Sequence, residues 1–150
     1  MDVHSRIQRS QNMASIRAKN TSPEIAIRKL LHREGFRFRI HSSSLPGKPD
    51  IVLPKYHAVI LVNGCFWHLH RCCLSKLPQS RADWWRRKLE GNRQRDLAVR
   101  RALIRSGWRV LTIWECAFRG KGSVSEAMRK IADEAAMWLR STSRERQLSR

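Results

Sequence analysis

Five consecutive apolar residues, Ala58-Val59-Ile60-Leu61-Val62, leave a strand no polar face on either side, so this segment lies centrally between two covering layers. The strand runs directly into Asn63-Gly64-Cys65-Phe66-Trp67-His68-Leu69-His70-Arg71-Cys72-Cys73, where Gly64 marks the change from strand to loop. Three thiols, two imidazoles and a bulky aromatic pair crowd into this one loop. No folding rule asks for that density of soft ligands beside large rings. The loop is therefore read as a site of chemistry or recognition, with the rest of the chain organised around it.

The flanking segments supply the other elements. Residues 1–19 are polar and basic, with Ile7, Met13, Ala14 and Ile16 as the thin apolar stripe of a helix too marginal to stand alone. Asn20-Thr21-Ser22-Pro23-Glu24 reads as a helix start, either a capping box of Thr21 and Glu24 or a Ser22 cap with Pro23 in the first turn. Ile27, Leu30 and Leu31 give that helix a buried face, and Gly35 ends it. Phe36-Arg37-Phe38-Arg39-Ile40 alternates as a half-buried strand does. After a loop from Ser42 to Lys48, Pro49 is expected to keep Lys48 extended and to deliver Asp50 at the entrance of the strand Ile51-Val52-Leu53, which Pro54 stops. A long helix is expected from about Arg81 to Ser106, broken by Gly107, then a strand from Arg109 to Trp114 and an amphipathic helix from Ser125 to Leu139. Ser141 to Arg150 has almost no apolar content and reads as a disordered tail. The division is an arm of residues 1–20, one domain of 21–140 and a tail of 141–150, forming an α/β sandwich around a mixed sheet of about four strands.

Lys and Arg number 31 against 12 Asp and Glu, a net charge of +19 that runs along the whole chain and points to a polyanion partner. A merely solvated basic surface is the bland alternative. Arg outnumbers Lys, which favours contacts to phosphates and base edges. No apolar run approaches the ~20 residues a membrane span needs, and Met1-Asp2-Val3-His4 does not begin a signal peptide, so the expected compartment is the cytoplasm. There, thiols stay free or bind metal rather than pair as disulfides.

Cys65-x4-His70-x-Cys72, joined by Cys116 from the end of another strand, offers four soft ligands for tetrahedral Zn2+, with Cys73 as an alternative to Cys72. A closed set of this kind is structural. Asp50, beside the end of the next strand near Val62, is suited to a hard cation such as Mg2+, although an Asp after Pro is commonly a turn residue. Glu24 by the same measure fits a helix cap alone, and Phe66 and Trp67 fit either a core or a wedge between base pairs. Lys88, Asn92 and Asp96 recur every four residues as one polar helix stripe, which a solvated face also explains.

Several stretches together resemble the very short patch repair (Vsr) DNA mismatch endonuclease family. They are Arg9-Ser10-x-Asn12-Met13, Leu45-Pro46-Gly47-Lys48-Pro49-Asp50, Gly64-Cys65-Phe66-Trp67-His68-x-His70-x-Cys72, Gly107-Trp108-Arg109-Val110-Leu111 and Trp114-Glu115-Cys116, and the similarity runs from about Val3 to Gly120. The resemblance implies a restriction-endonuclease-like fold with Asp50 and the Val62 carbonyl on catalytic Mg2+ and His68 at the attacking water. It puts Glu24 and Asp96 in the outer shell of the metals, and Cys65, His70, Cys72 and Cys116 on Zn2+. It implies that Phe66, Trp67 and His68 enter the base stack from the major groove and Met13, on an arm that embraces DNA, from the minor groove, while Lys88 and Asn92 read the mismatched pair. The implied substrate is double-stranded DNA with a T:G mismatch, nicked 5′ to the thymine by a monomer that works with repair-protein partners. One position departs from the family, which commonly has Thr-His where this chain has Val62-Asn63. A carbonyl survives at Val62, whereas Asn63, counted among the catalytic positions, lacks the charge a His offers a phosphate. A restriction-type nuclease of other specificity and a non-catalytic zinc-stabilised DNA-binding module are the alternatives.

Overall fold

The structure, a computed structural model, describes residues 5–15, 21–119 and 122–150, with the side chains of 9 and 12–15 excepted. Its elements in chain order are α1 (Arg6–Ser15), α2 (Ser22–Arg33), β1 (Arg39–Ile40), β2 (Ile51–Leu53), β3 (Ala58–Asn63), α3 (Ala82–Arg105), β4 (Arg109–Trp114), α4 (Val124–Leu139) and β5 (Glu145–Leu148). The five strands lie in the order β1-β2-β3-β4-β5, so the apolar β3 is the central one. β1, β2 and β3 pair antiparallel; β3 and β4 run parallel through the crossover α3, and β4 and β5 run parallel through α4. A mixed α/β sheet flanked by helices results.

Strand alternation sorts the core into two layers. Ile51, Leu53, Ala58, Ile60, Leu111, Ile113 and Leu148 face α2 and α4, meeting Ile27, Leu31, Ala135 and Trp138. Val52, Val59 and Val110 face the other way, against Leu103 and Val99 of α3. Gly107, at φ +87°, lets the chain leave α3 and turn into β4. Gly47, at φ +73°, brings its loop so near α3 that an added Cβ would stand 2.4 Å from a Val99 methyl.

Four expectations need correction. The strand read over 36–40 is only Arg39–Ile40, both exposed, because Phe36 drops into the core directly after the Gly35 turn. Lys48 is not extended but left-handed, at φ +48°, at the end of a tight turn closed by its amide on the Leu45 carbonyl at 3.2 Å. Thr21 is the N-terminal boundary of α2, yet no capping bond forms at it; its hydroxyl donates to the Glu24 carboxylate at 3.3 Å instead. Residues 141–150 are not a free tail: β5 adds a fifth strand, and side chains outside it hold it in place. The Arg109 guanidinium donates to the carbonyls of Ser143, Leu139 and Trp138, and Arg100 pairs with Glu145 at 2.7 Å.

A thin stripe along the first helix was expected. Ile7 on α1 is 71% exposed. The Met13 and Ala14 side chains and all of Ile16 lie outside the described residues. Among the described residues no helix is long and apolar enough to cross a membrane.

Candidate active site and metal centre

The loop after β3 leaves the sheet in a tight coil: the His68 amide donates to the Gly64 carbonyl and the His70 amide to the Cys65 carbonyl at 3.0 Å. Leu69 between them is left-handed, at φ +50°, an unfavourable conformation for a branched residue that costs on the order of 1–3 kcal/mol. That reversal sends the two imidazoles to different places. His70 turns toward Cys65 and Cys116, while the His68 Nδ1 meets the Asp96 carboxylate of α3 at 2.5 Å. Trp114, at the end of β4, stands between them: its ring stacks on His70 at 4.3 Å and meets His68 edge-on at 6.4 Å.

Cys65, His70, Cys72 and Cys116 each offer one ligand atom, and the four atoms lie within 4.8 Å of one another. Cys73 is exposed and outside the cluster, so Cys72 is the thiol the fold brings in. The His70 Nδ1 lies 3.6 Å from the Cys65 Sγ and 3.5 Å from the Cys116 Sγ. A tetrahedral ion with sulfur at about 2.3 Å and nitrogen at about 2.0 Å spans sulfur-to-nitrogen edges of about 3.5 Å, so the donors already stand at metal-site spacing. Two backbone amides, those of Cys116 and Arg150, point at the Cys65 and Cys116 sulfurs. Burial pushes the Cys65 thiol well above its ordinary value, against the Cys116 amide and with the neighbouring cysteines adding, and a bound cation is the kind of partner that favours a buried thiolate. The residues present fit a soft metal ion.

On the other side of Trp114 lies an open groove of about 1030 Å³ lined by His41, Asp50, Val62, Asn63, His68, Asn92 and Asp96, with Lys48, Arg71, Arg93, Arg95 and Arg100 at its walls. Asp50 hangs from the start of β2, and its Oδ2 accepts the Val62 amide at 2.8 Å. Val62 therefore meets Asp50 through its N–H. Glu24, 2% exposed, sits behind Asp50 in a pair with Arg28 at 2.9 Å. His41, a residue the sequence reading passed over, completes a cluster in which one ligand atom each of Glu24, His41 and Asp50 lie within 4.8 Å of one another. The β1–β2 register was the signal that would have found it: pairing Ile40 with Ile51 puts His41 beside Asp50, whose carbonyl accepts its amide at 3.3 Å.

Two members of the polar stripe of α3 clamp the loop, and the third, Lys88, lies over a ring of its own helix. Asp96 holds His68, Asn92 donates its amide to the Trp67 carbonyl at 3.0 Å, and the Lys88 ammonium lies 5.1 Å over the Trp84 ring. The Asn92 carbonyl oxygen also accepts from Arg95 at 2.5 Å, so both ends of that amide are engaged. Phe66 and Trp67 are half-buried, and both meet Trp85 of α3, at 5.4 and 5.9 Å. They form a surface aromatic cluster with Trp84 and Trp85 rather than entering either core layer.

Burial pushes the Asp50 carboxyl up to about 6, with the Glu24 charge adding, against the Val62 amide and the charges of Arg28 and His68. A carboxyl raised in this way stabilises the fold fully below its ordinary 3.8 and loses that contribution as pH rises through about 6. Asp50→Asn, neutral throughout, should melt close to wild type at about pH 4 and above it at about pH 8 when divalent cations are absent. Melting curves of both proteins at the two pH values check this, and an unchanged difference would remove burial as the cause.

A family profile described as DNA mismatch endonuclease Vsr matches residues 1–74. The chain is 48% identical over 121 residues to the Type II nicking enzyme V.XorIIP of Xanthomonas oryzae pv. oryzae (strain KACC10331 / KXO85), covering 81% of this chain and 89% of that protein. It is 42% identical over 134 residues to the DNA mismatch endonuclease Vsr of Escherichia coli (strain K12), covering 89% and 81%. It is 37% identical over 133 residues to the Type II nicking enzyme V.NmeAIP of Neisseria meningitidis serogroup A / serotype 4A (strain DSM 15465 / Z2491), covering 89% and 95%.

Proposed function

The chain belongs to the DNA mismatch endonuclease Vsr family, and on that premise we propose that it is a cytoplasmic, Mg2+-dependent endonuclease that nicks DNA 5′ to the thymine of a T:G mismatch. The observation that carries this reading is the pairing of His68 with Asp96 in the same groove as Asp50. Arg and Lys side chains on the groove walls suit the phosphates of a duplex.

Asp50 and the Val62 carbonyl would hold Mg2+, with Glu24 and Asp96 beyond them; when bound, the cation stabilises the charge that develops on the phosphate and the leaving oxygen. His68 supplies the base. Its Nδ1–H donates to Asp96, which leaves Nε2 as the acceptor for the proton of the attacking water. Asp96 also stabilises the imidazolium that forms as the proton arrives, and it fixes the ring's orientation. Asn63 remains in the groove as a neutral hydrogen-bonding group toward the phosphate. Cys65, His70, Cys72 and Cys116 would hold Zn2+ as a closed structural site.

In this reading Phe66 and Trp67 unstack the mismatch from the major groove, helped by Met13 from the minor groove, and Lys88 and Asn92 meet the mispaired bases. Asn92 is engaged at both ends in the free protein, so it first serves the wedge by holding the Trp67 carbonyl. Incubation with Mg2+ should nick a T:G duplex at one position and leave a T:A duplex of the same sequence intact. Equal cutting of both would point to a nuclease of other specificity, and no cutting of either to a binding module. Stacking is worth roughly 1–3 kcal/mol per base, so Trp67→Ala should weaken T:G binding by about ten-fold or more, measured with Ca2+ in place of Mg2+. Matched duplex should bind the variant nearly as well as wild type. Equal loss on the two duplexes would return these rings to a packing role.

A further inference from the structure

His41 adds something that a carboxylate pair alone lacks. Its imidazole Nε2 is 3.7 Å from the Glu24 Oε2 and 3.2 Å from Arg28 Nη2. A guanidinium only donates, so Nε2 must be the acceptor in that contact: its one lone pair faces Arg28, at a cluster in which one ligand atom each of Glu24, His41 and Asp50 lie within 4.8 Å of one another. The ring is held there from the backbone as well. His41 is left-handed, at φ +48°, and its amide is bonded to the Asp50 carbonyl, which fixes the side chain relative to the carboxylate across the hairpin. His41 and Asp50 both line the groove.

Building on the cation site read above, we propose that His41 is a further metal-binding residue at Asp50, its Nε2 releasing the Arg28 guanidinium and giving the same lone pair to the cation, and that it shifts the site's preference from Mg2+ toward Mn2+ and Co2+. The chemistry follows from the donors. Mg2+ takes oxygen ligands and gives up water reluctantly, so an imidazole adds little to its binding. Mn2+ and Co2+ accept nitrogen readily, and along that series affinity for a mixed nitrogen and oxygen site rises.

The test uses the full-length protein with its cysteine and histidine metal in place, titrated with Mn2+ and read by electron paramagnetic resonance. Wild type should bind Mn2+ with nitrogen modulation from a directly bound imidazole. His41→Gln and His41→Asn should lose that modulation and lower the ratio of Mn2+ to Mg2+ affinity by about ten-fold, the scale on which a missing metal partner is felt. Asn tolerates a left-handed backbone, so it guards against a variant that merely refolds the turn. Asp50→Asn separates the two readings. If it still binds Mn2+ as wild type does, the cation site itself is misplaced. If it loses Mn2+ while wild type lacks nitrogen modulation, or while the His41 variants keep the wild-type ratio, the role of His41 is overturned and the site stands.

Discussion

Asp50→Ala should leave a T:G duplex uncut under conditions where wild type nicks it completely, with a fall in single-turnover rate of about a thousand-fold or more. The size follows from the chemistry: a bound cation supplies several kcal/mol of transition-state stabilisation, and each 1.4 kcal/mol is about ten-fold in rate. Binding should survive. The groove walls carry Lys48, Arg71, Arg93 and Arg95, whereas Asp50 presents a negative charge to an anionic backbone, so the variant should hold mismatched DNA as tightly as wild type or more tightly. Rapid-quench cleavage together with a binding titration on the same duplex reads both quantities. Near-normal Mg2+-dependent cleavage by the variant would show that Asp50 is not the metal residue, and a parallel loss of binding would show a collapsed groove.

Cys116→Ala should remove a metal ion and much of the fold's stability at once. Cys116 joins the loop after β3 to the end of β4, and the last residue of β5's flank points its amide at the same sulfur. Without that thiolate the other three donors lose their common ion, and the buried Cys65 and half-buried His70 are left with no cation. Zinc analysis should fall from about one ion per chain to none, and the melting temperature should drop by about 10 °C or more, given about 2–4 °C per kcal/mol at this size. Cys73→Ala is the control. Its thiol is exposed and outside the cluster, so both readings should stay at wild-type values. A wild-type protein that folds without any metal would sink the assignment.

Much of the architecture was legible because it rests on long or strongly patterned segments. β3 announced itself by apolarity on both faces, and α3 by a long helical stretch ended at Gly107, with bounds at Ala82 and Arg105. The gathering of Cys65, His70, Cys72 and Cys116 was legible because four soft ligands at such spacing have few other uses. β5 was not, since its only buried residue is Leu148 and the arginines that hold it and its approach, Arg100 and Arg109, lie far away in sequence. β1 failed for the opposite reason. Its alternation is real, but Phe36 and Phe38 pack beside the helical layer before pairing begins at Arg39. His41 was missed because its meaning lies in a hairpin register, and a lone histidine after a short strand carries no local signal. Lys88, Asn92 and Asp96 were legible as a stripe, but what Asn92 and Asp96 grip, the Trp67 carbonyl and the His68 ring, needed the loop's path across α3, whereas Lys88 meets Trp84 on its own helix.

The left-handed Leu69 has a consequence for how this protein changes over generations. One residue separates the imidazole that pairs with Asp96 from the imidazole that faces the thiols, and the reversal at that residue is what aims them apart. A single insertion or deletion there would swing one ring out of place whichever ring it spared. The thiol-bearing turn is thus not a cassette that a lineage can trade or discard while the His68–Asp96 pair is kept. Drift on either side of Leu69 is answerable to both centres, and the two are inherited as one unit.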